Sequence, residues 1–241
     1  MKHIDAQGLH FKDLNQLVRS SKEKHIDLEH VEGQRFIGCG LAGKMIAIHG
    51  TPGNALGACL DGTDIVVYNN AQDATGDTMN DGSIIIHGSC GDAAGYSMRG
   101  GRIFIRDSAG YRAGIHMKAY EEKQPLLVIG EKAGSFLGEY QAGGTIIVLG
   151  LSQNGKPPVG YFCGTGMHGG KIFLRCDTLP KDLPEQVVAH TATKEDLEEI
   201  SSSIDEFCRV FSLDKDAVMQ QHFFVLTPNT SNPYKRLYTY V

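Results

Sequence analysis

Two runs have the glycine spacing of a dinucleotide-binding loop: Gly38-Cys39-Gly40-Leu41-Ala42-Gly43 and Gly164-Thr165-Gly166-Met167-His168-Gly169. Residues 38–44 also have the outline of a phosphate loop that lacks its final Ser or Thr. In such loops the glycines follow a strand and open a helix, whose N-terminus holds the phosphates. Here each run leads straight into a strand pattern, at 45–48 or 171–174, so the spacing argues against a nucleotide site. Aspartates crowd the intervening turns at Asp61, Asp73, Asp77, Asp81 and Asp92. A calcium solenoid would need Gly-Asp spacing every nine residues, and without it these read as solvated turn residues. His49 and His87 occupy equivalent places two repeats apart, roughly 10 Å by strand spacing. That is too far for one ion, and with Tyr68 between them and Arg106 beyond they read as an exposed polar edge. Cys39, Cys59, Cys90, Cys163, Cys176 and Cys208 form no C-x-x-C pair, which points to scattered, reduced, mostly buried thiols.

These residues are positioned by an internal repeat. Strand-like tetrads begin at Met45, Asp64, Ser83, Arg102, Leu126, Thr145 and Lys171, with steps of 19, 19, 19, 24, 19 and 26 residues. Removing about five residues near 119–123 and about seven near 152–158 restores the period expected of a repeat array. Counting each tetrad's first residue as zero, offset 8 holds Gly53, Gly91, Gly110, Gly134 and Gly160, with Gln72 the exception. Offset 12 holds Gly57, Gly76, Gly95, Gly114, Gly138 and Gly164. Offset 1 (Ile46, Ile65, Ile84, Ile103, Leu127, Ile146, Ile172) and offset 3 (Ile48, Val67, Ile86, Ile105, Ile129, Val148, Leu174) point to one side of a strand and should stack as aliphatic ladders. Offset 15, mostly methionine from Met79 to Met167, reads as a second interior column.

Glycines at fixed corners and a period near 20 predict a mainly β fold: a single-stranded right-handed parallel β-helix, a solenoid of about seven coils with terminal capping helices. A left-handed hexapeptide helix would repeat every six residues, which these glycines do not. The expected organisation is a capping helix in 1–25, the β-helix in 26–177 and a helical extension with a tail in 178–241. Offset 2 is apolar too, with Val66, Ile85, Phe104, Val128, Ile147 and Phe173. A strand apolar on both sides is covered on both sides, so this stripe is a candidate interface, for the chain's own terminal helices or for a partner. A helix beginning at Thr193, with Leu197, Ile200, Ile204, Phe207 and Phe211 on one face, has the shape to lie on it. The aromatic and basic tail at 232–238 is expected to clamp back or meet a partner.

With 41% apolar residues, 30 glycines and no tryptophan the composition fits a folded β protein, and a net charge of −5 gives no support to nucleic-acid binding by bulk electrostatics. No apolar run has the length of a membrane span and residues 1–8 lack a signal peptide's apolar region, so a cytoplasmic location is expected.

From about 34 to 176 the glycine register and ladders resemble the C-terminal GXGXG domain of the glutamate synthase large subunit, most closely at 76–101 and 159–175. Residues 223–238 resemble free-standing versions of that domain. The chain is also similar to the C subunit of formylmethanofuran dehydrogenase. The first resemblance implies a non-catalytic scaffold subunit in a complex that makes glutamate from glutamine and 2-oxoglutarate. Its partners would be a glutamine amidotransferase chain and a domain carrying FMN and an iron-sulfur cluster. The chain starts Met1-Lys2, has no cysteine before Cys39, no clustered cysteines and no flavin phosphate loop. No catalytic, cofactor-binding or metal residue is therefore carried over, and FMN and the cluster are expected on the partners. The alternatives are the C subunit of a formylmethanofuran-dehydrogenase-like complex, with pterin-metal and amidohydrolase-like partners, and a solitary β-helix carbohydrate-active enzyme. Self-association through the stripe or the open ends is a further alternative.

Overall fold

The computed structural model describes residues 1–229. The tail at 232–238 lies outside them. The strands are β1 (Lys2–Asp5), β2 (His25–Glu32), β3 (Met45–Thr51), β4 (Asp61–Val67), β5 (Asp81–Ile86), β6 (Arg102–Ile105), β7 (Leu126–Ile129), β8 (Ala142–Val148), β9 (Gly169–Arg175), β10 (Val187–Thr191) and β11 (Phe223–Pro228). The helices are α1 (Phe11–Ser20), α2 (Lys194–Phe211) and α3 (Lys215–Met219). No helix among the described residues is long and apolar enough to cross a membrane.

The tetrads pair in the register their spacing predicts, parallel throughout: Met45 with Asp64, Ser83 with Arg102, Leu126 with Thr145, and Thr145 with Lys171. The expected solenoid needs correction, because the strands form one mixed sheet of 11, in the order β1-β2-β3-β4-β5-β6-β7-β8-β9-β11-β10. It is not clearly a closed β-helix. Two physical reasons account for the difference. Between tetrads the chain alternates left-handed residues, as at Ala93 (φ 57°), Gly95 (φ 70°) and Ser97 (φ 50°). Backbone that turns so often cannot extend into a strand, so these segments are turns, joined from repeat to repeat by single backbone hydrogen bonds such as Gly95 N–H to Thr75 O (2.8 Å) and by isolated bridges such as Cys90 with Ala109. The second reason is the chain's return: β11 pairs antiparallel with both β9 and β10. The far end of the array is therefore finished by strands, not by the helix the repeat pattern suggested.

At the near end α1 buries Leu14 and Val18 in the main core. Asn15 and Arg19 fasten it to the first corner by donating to the carbonyls of Arg35 (2.8 Å) and Cys39 (2.6 Å). The ladders at offsets 1 and 3 are buried, as is the column Leu60, Met79, Met98, Met117, Gln141 and Met167. Gln141 is the polar member, and its amide donates to the carbonyls of Gly143 and Gly144.

Helix α2 starts where its sequence signals it. The Thr193 side chain accepts from Asp196 N–H, while the Asp196 carboxylate accepts from Thr193 N–H at 3.0 Å and faces His190 Nε2 at 3.1 Å. The Thr193 N–H, followed by His190, holds the Asp196 carboxyl below its ordinary 3.8. A depressed carboxyl adds stability above its unfolded value, and that stability is lost as pH falls through the folded value. Asp196→Asn should therefore cost about 1 kcal/mol at neutral pH and flatten the loss of stability below about pH 4, as an acid titration of urea unfolding midpoints would read.

Candidate functional site

The glycine-rich runs are corners. Gly38, Gly40 and Gly43 have φ of 77°, 61° and 67° and lead into β3, and the run from Gly164 leads into β9. The offset-12 glycines Gly57, Gly76, Gly95, Gly114, Gly138 and Gly164 all have positive φ. The offset-8 glycines Gly53, Gly91, Gly110, Gly134 and Gly160 lie hard against the neighbouring repeat. At Gly134 a Cβ would stand 2.7 Å from the Gly110 carbonyl.

Four residues of the apolar stripe, Phe104, Val128, Ile147 and Phe173, are fully buried beneath α2, in a second core with Ile200, Ile204, Phe207, Cys208 and Phe211. The helix crosses the strands. Lys171 of β9 pairs with Glu199 (2.6 Å) near its start, Arg102 of β6 pairs with Glu206 (3.1 Å) farther along, and Phe211 at its end meets His87 edge-on. Ile85 is half-buried against this core, and Val66, paired with it one strand farther out, is half-buried too.

A ring column runs along the neighbouring edge. His49 stacks on Tyr68 (4.8 Å between centroids) and Tyr68 on His87 (5.2 Å). At the other end of the array a second aromatic surface stands in the turns, which offset patterns based on strands missed. Phe136 stacks on Phe162 at 5.2 Å, with the Arg112 guanidinium over Phe136 and Tyr111 and Tyr161 exposed beside them. Phe136 and Phe162 have φ of 63° and 60°, conformations that bulky residues seldom adopt.

The sequence pattern also missed a polar cluster, because its members come from three strands. Asp27 of β2 pairs in register with His3 of β1 and Ala47 of β3. Asp27 Oδ1 lies 3.1 Å from His49 Nε2, Asp27 Oδ2 lies 3.1 Å from His3 Nδ1, and Glu29 Oε1 lies 3.9 Å from His49 Nε2. Asp27 is only 9% exposed. A cleft of about 650 Å³ adjoins it, lined by Glu29, His30, His49, Asn69 and Gln72 among others.

All six cysteines are free, with Cys59 exposed, Cys39 half-buried and the rest buried. Burial pushes the thiols of Cys90 and Cys163 up to about 12 and that of Cys176 to about 11, and raises Cys39 and Cys208. Thiolate is the reacting form. Iodoacetamide at pH 8 should therefore add to Cys59 first and Cys39 slowly, and reach the other four only after denaturation, which intact mass resolves.

The family model for the GXGXG motif matches residues 26–229. The uncharacterized protein MJ1350 of Methanocaldococcus jannaschii is 43% identical over 249 residues, covering 98% of this chain and 95% of that one. A chain of the formyltransferase/hydrolase complex (FhcABCD) of Methylorubrum extorquens, solved with methylofuran, superposes with a TM-score of 0.65 at 18% identity, over 92% of this chain and 88% of that one. That likeness speaks for the fold. The glycine register, its corner geometry and the family match over nearly the whole described chain converge on one conclusion: this chain belongs to the GXGXG motif family.

Proposed function

We propose that this chain is an accessory, non-catalytic subunit of a multi-subunit oxidoreductase complex of the glutamate synthase kind. In that reading a glutamine amidotransferase chain and an FMN and iron-sulfur chain are its partners, and the cofactors reside on them. The observation that carries the accessory role is the family match over residues 26–229, in a fold shared with one chain of a solved multi-chain complex. The turn surface at Tyr111, Arg112, Phe136, Tyr161 and Phe162 supports it, because exposed aromatic and arginine side chains are the types enriched at interfaces. The likeness also favours a second reading, in which the complex is of the formylmethanofuran dehydrogenase type and this chain is its C subunit.

The test is affinity capture of the tagged chain from cells that encode it, with partner masses and the visible spectrum recorded together. A flavin and iron-sulfur spectrum with a glutaminase-sized chain is the expected result. Pterin-metal and amidohydrolase-like partners would move the assignment to the second reading. A colourless single species would overturn both. Phe162 is 49% exposed, so Phe162→Asp should leave melting near that of the wild type and reduce the captured partner.

A further inference from the structure

The Asp27 cluster is built unlike an ordinary surface ion pair. Asp27 sits mid-strand between the core residues Ile26 and Leu28, yet its carboxylate lies on the opposite face and is shielded from water. Its Oδ1 is fully buried and has no hydrogen-bond partner. His49 Nε2 comes within 3.1 Å of that oxygen without the alignment of a hydrogen bond. A buried carboxylate oxygen without a donor is costly, and the cost is removed if a cation sits between that oxygen and the donor atoms of His49 and Glu29.

Three donor atoms, one each from Asp27, Glu29 and His49, lie within 4.8 Å of one another. Around a zinc ion bound at about 2.1 Å, tetrahedral ligand atoms stand roughly 3.4 Å apart. The observed separations of 3.1 Å and 3.9 Å from His49 Nε2 bracket that value. The supporting shell is present as well. Ala47, beside Asp27 on β3, places no bulk over the site, the Tyr68 ring stacked on His49 holds the imidazole plane, and His3 pairs with the second oxygen of Asp27. Outer contacts of this kind orient metal ligands.

We propose that Asp27, Glu29 and His49 bind a borderline divalent transition metal of the zinc type, with the remaining coordination positions open to the adjoining cleft. Magnesium and calcium take all-oxygen shells, whereas one imidazole with two carboxylates suits zinc and its first-row neighbours. Two carboxylate charges also balance a dication. The cleft of about 650 Å³ has room for water or a small anionic ligand at the open positions.

The experiment uses the metal-stripped full chain carrying Cys59→Ser, to remove the exposed thiol as a competing ligand. Zn²⁺ is titrated by calorimetry and Co²⁺ by visible absorption. One ion per chain is expected, with a cobalt spectrum of nitrogen and oxygen ligation and no sulfur charge-transfer band. Asp27→Asn, His49→Gln and Glu29→Gln should each weaken binding by about tenfold or more, while His87→Gln, on the far face of Tyr68, should not. Glu29 is half-exposed, so its variant should melt like the parent and keep the test valid if Asp27→Asn unfolds. Absence of zinc binding, or binding unchanged in the Glu29 and His49 variants, would overturn the proposal.

Discussion

Phe207→Ala should lower stability by about 3–5 kcal/mol, the range for removing a fully buried aromatic ring. In a chain of this size that is a fall in melting temperature of roughly 10 °C or more. Phe207 has no exposure, and its ring lies 5.6 Å from Phe104 and 4.7 Å from Phe211. It is therefore where α2, the stripe and the helix end are joined. The surface ion pairs at Lys171 and Arg102 cannot compensate, since exposed pairs contribute about 0–1 kcal/mol each. A loosened α2 would also uncover Phe104, Val128, Ile147 and Phe173, a contiguous apolar surface of the sort that drives association. Calorimetry should show the lower melting temperature, and size-exclusion chromatography a concentration-dependent larger species. If the variant melts within about 1 °C of the parent, α2 is not held by this face.

The second large effect lies in the corners, where a glycine series separates lack of space from left-handed backbone. Gly134→Ala should be the most damaging. Its Cβ would meet backbone of the neighbouring repeat, 2.7 Å from the Gly110 carbonyl and 2.8 Å from Tyr111 N. Backbone cannot step aside as a side chain can, so the overlap must push two repeats apart, at about 3 kcal/mol or more. Gly114→Ala combines a φ of 68° with a Cβ 2.5 Å from Ile146 Cδ1, the movable tip of a side chain. Gly95→Ala has a φ of 70° but its nearest neighbour is 3.7 Å away, leaving only the conformational cost of about 1–2 kcal/mol. That cost is bearable in this fold, because Ala55, Ala74 and Ala93 already hold φ near 60° at neighbouring corners. Urea unfolding should rank the variants Gly134→Ala, then Gly114→Ala, then Gly95→Ala. The reverse order would mean that φ, not contact between repeats, selects glycine here.

What the sequence determined by itself was whatever depends on local spacing. The 19-residue register became the strand pairing, because equal steps bring like positions side by side and the aliphatic ladders at offsets 1 and 3 can be buried in no other alignment. Helix α2 was legible from Thr193 and the spacing of Ile200, Ile204, Phe207 and Phe211, and the doubly apolar strands announced that something must cover them. Tertiary structure alone decided the rest. It chose α2 as the cover for the stripe from Phe104 to Phe173, and it returned the chain through β11, antiparallel to β9. That reversal, with corners too strongly turned to extend, gives one mixed sheet where repeat arithmetic suggested a closed solenoid. It also assembled the Asp27, Glu29 and His49 cluster. His49 was visible as a repeat position, but Asp27 and Glu29 come from the preceding strand, ahead of the first repeat tetrad, and sequence by itself gives no distance between side chains on separate strands. Periodicity reports which residues face the same way; convergence of unlike residues on one point depends on how strands are laid beside one another.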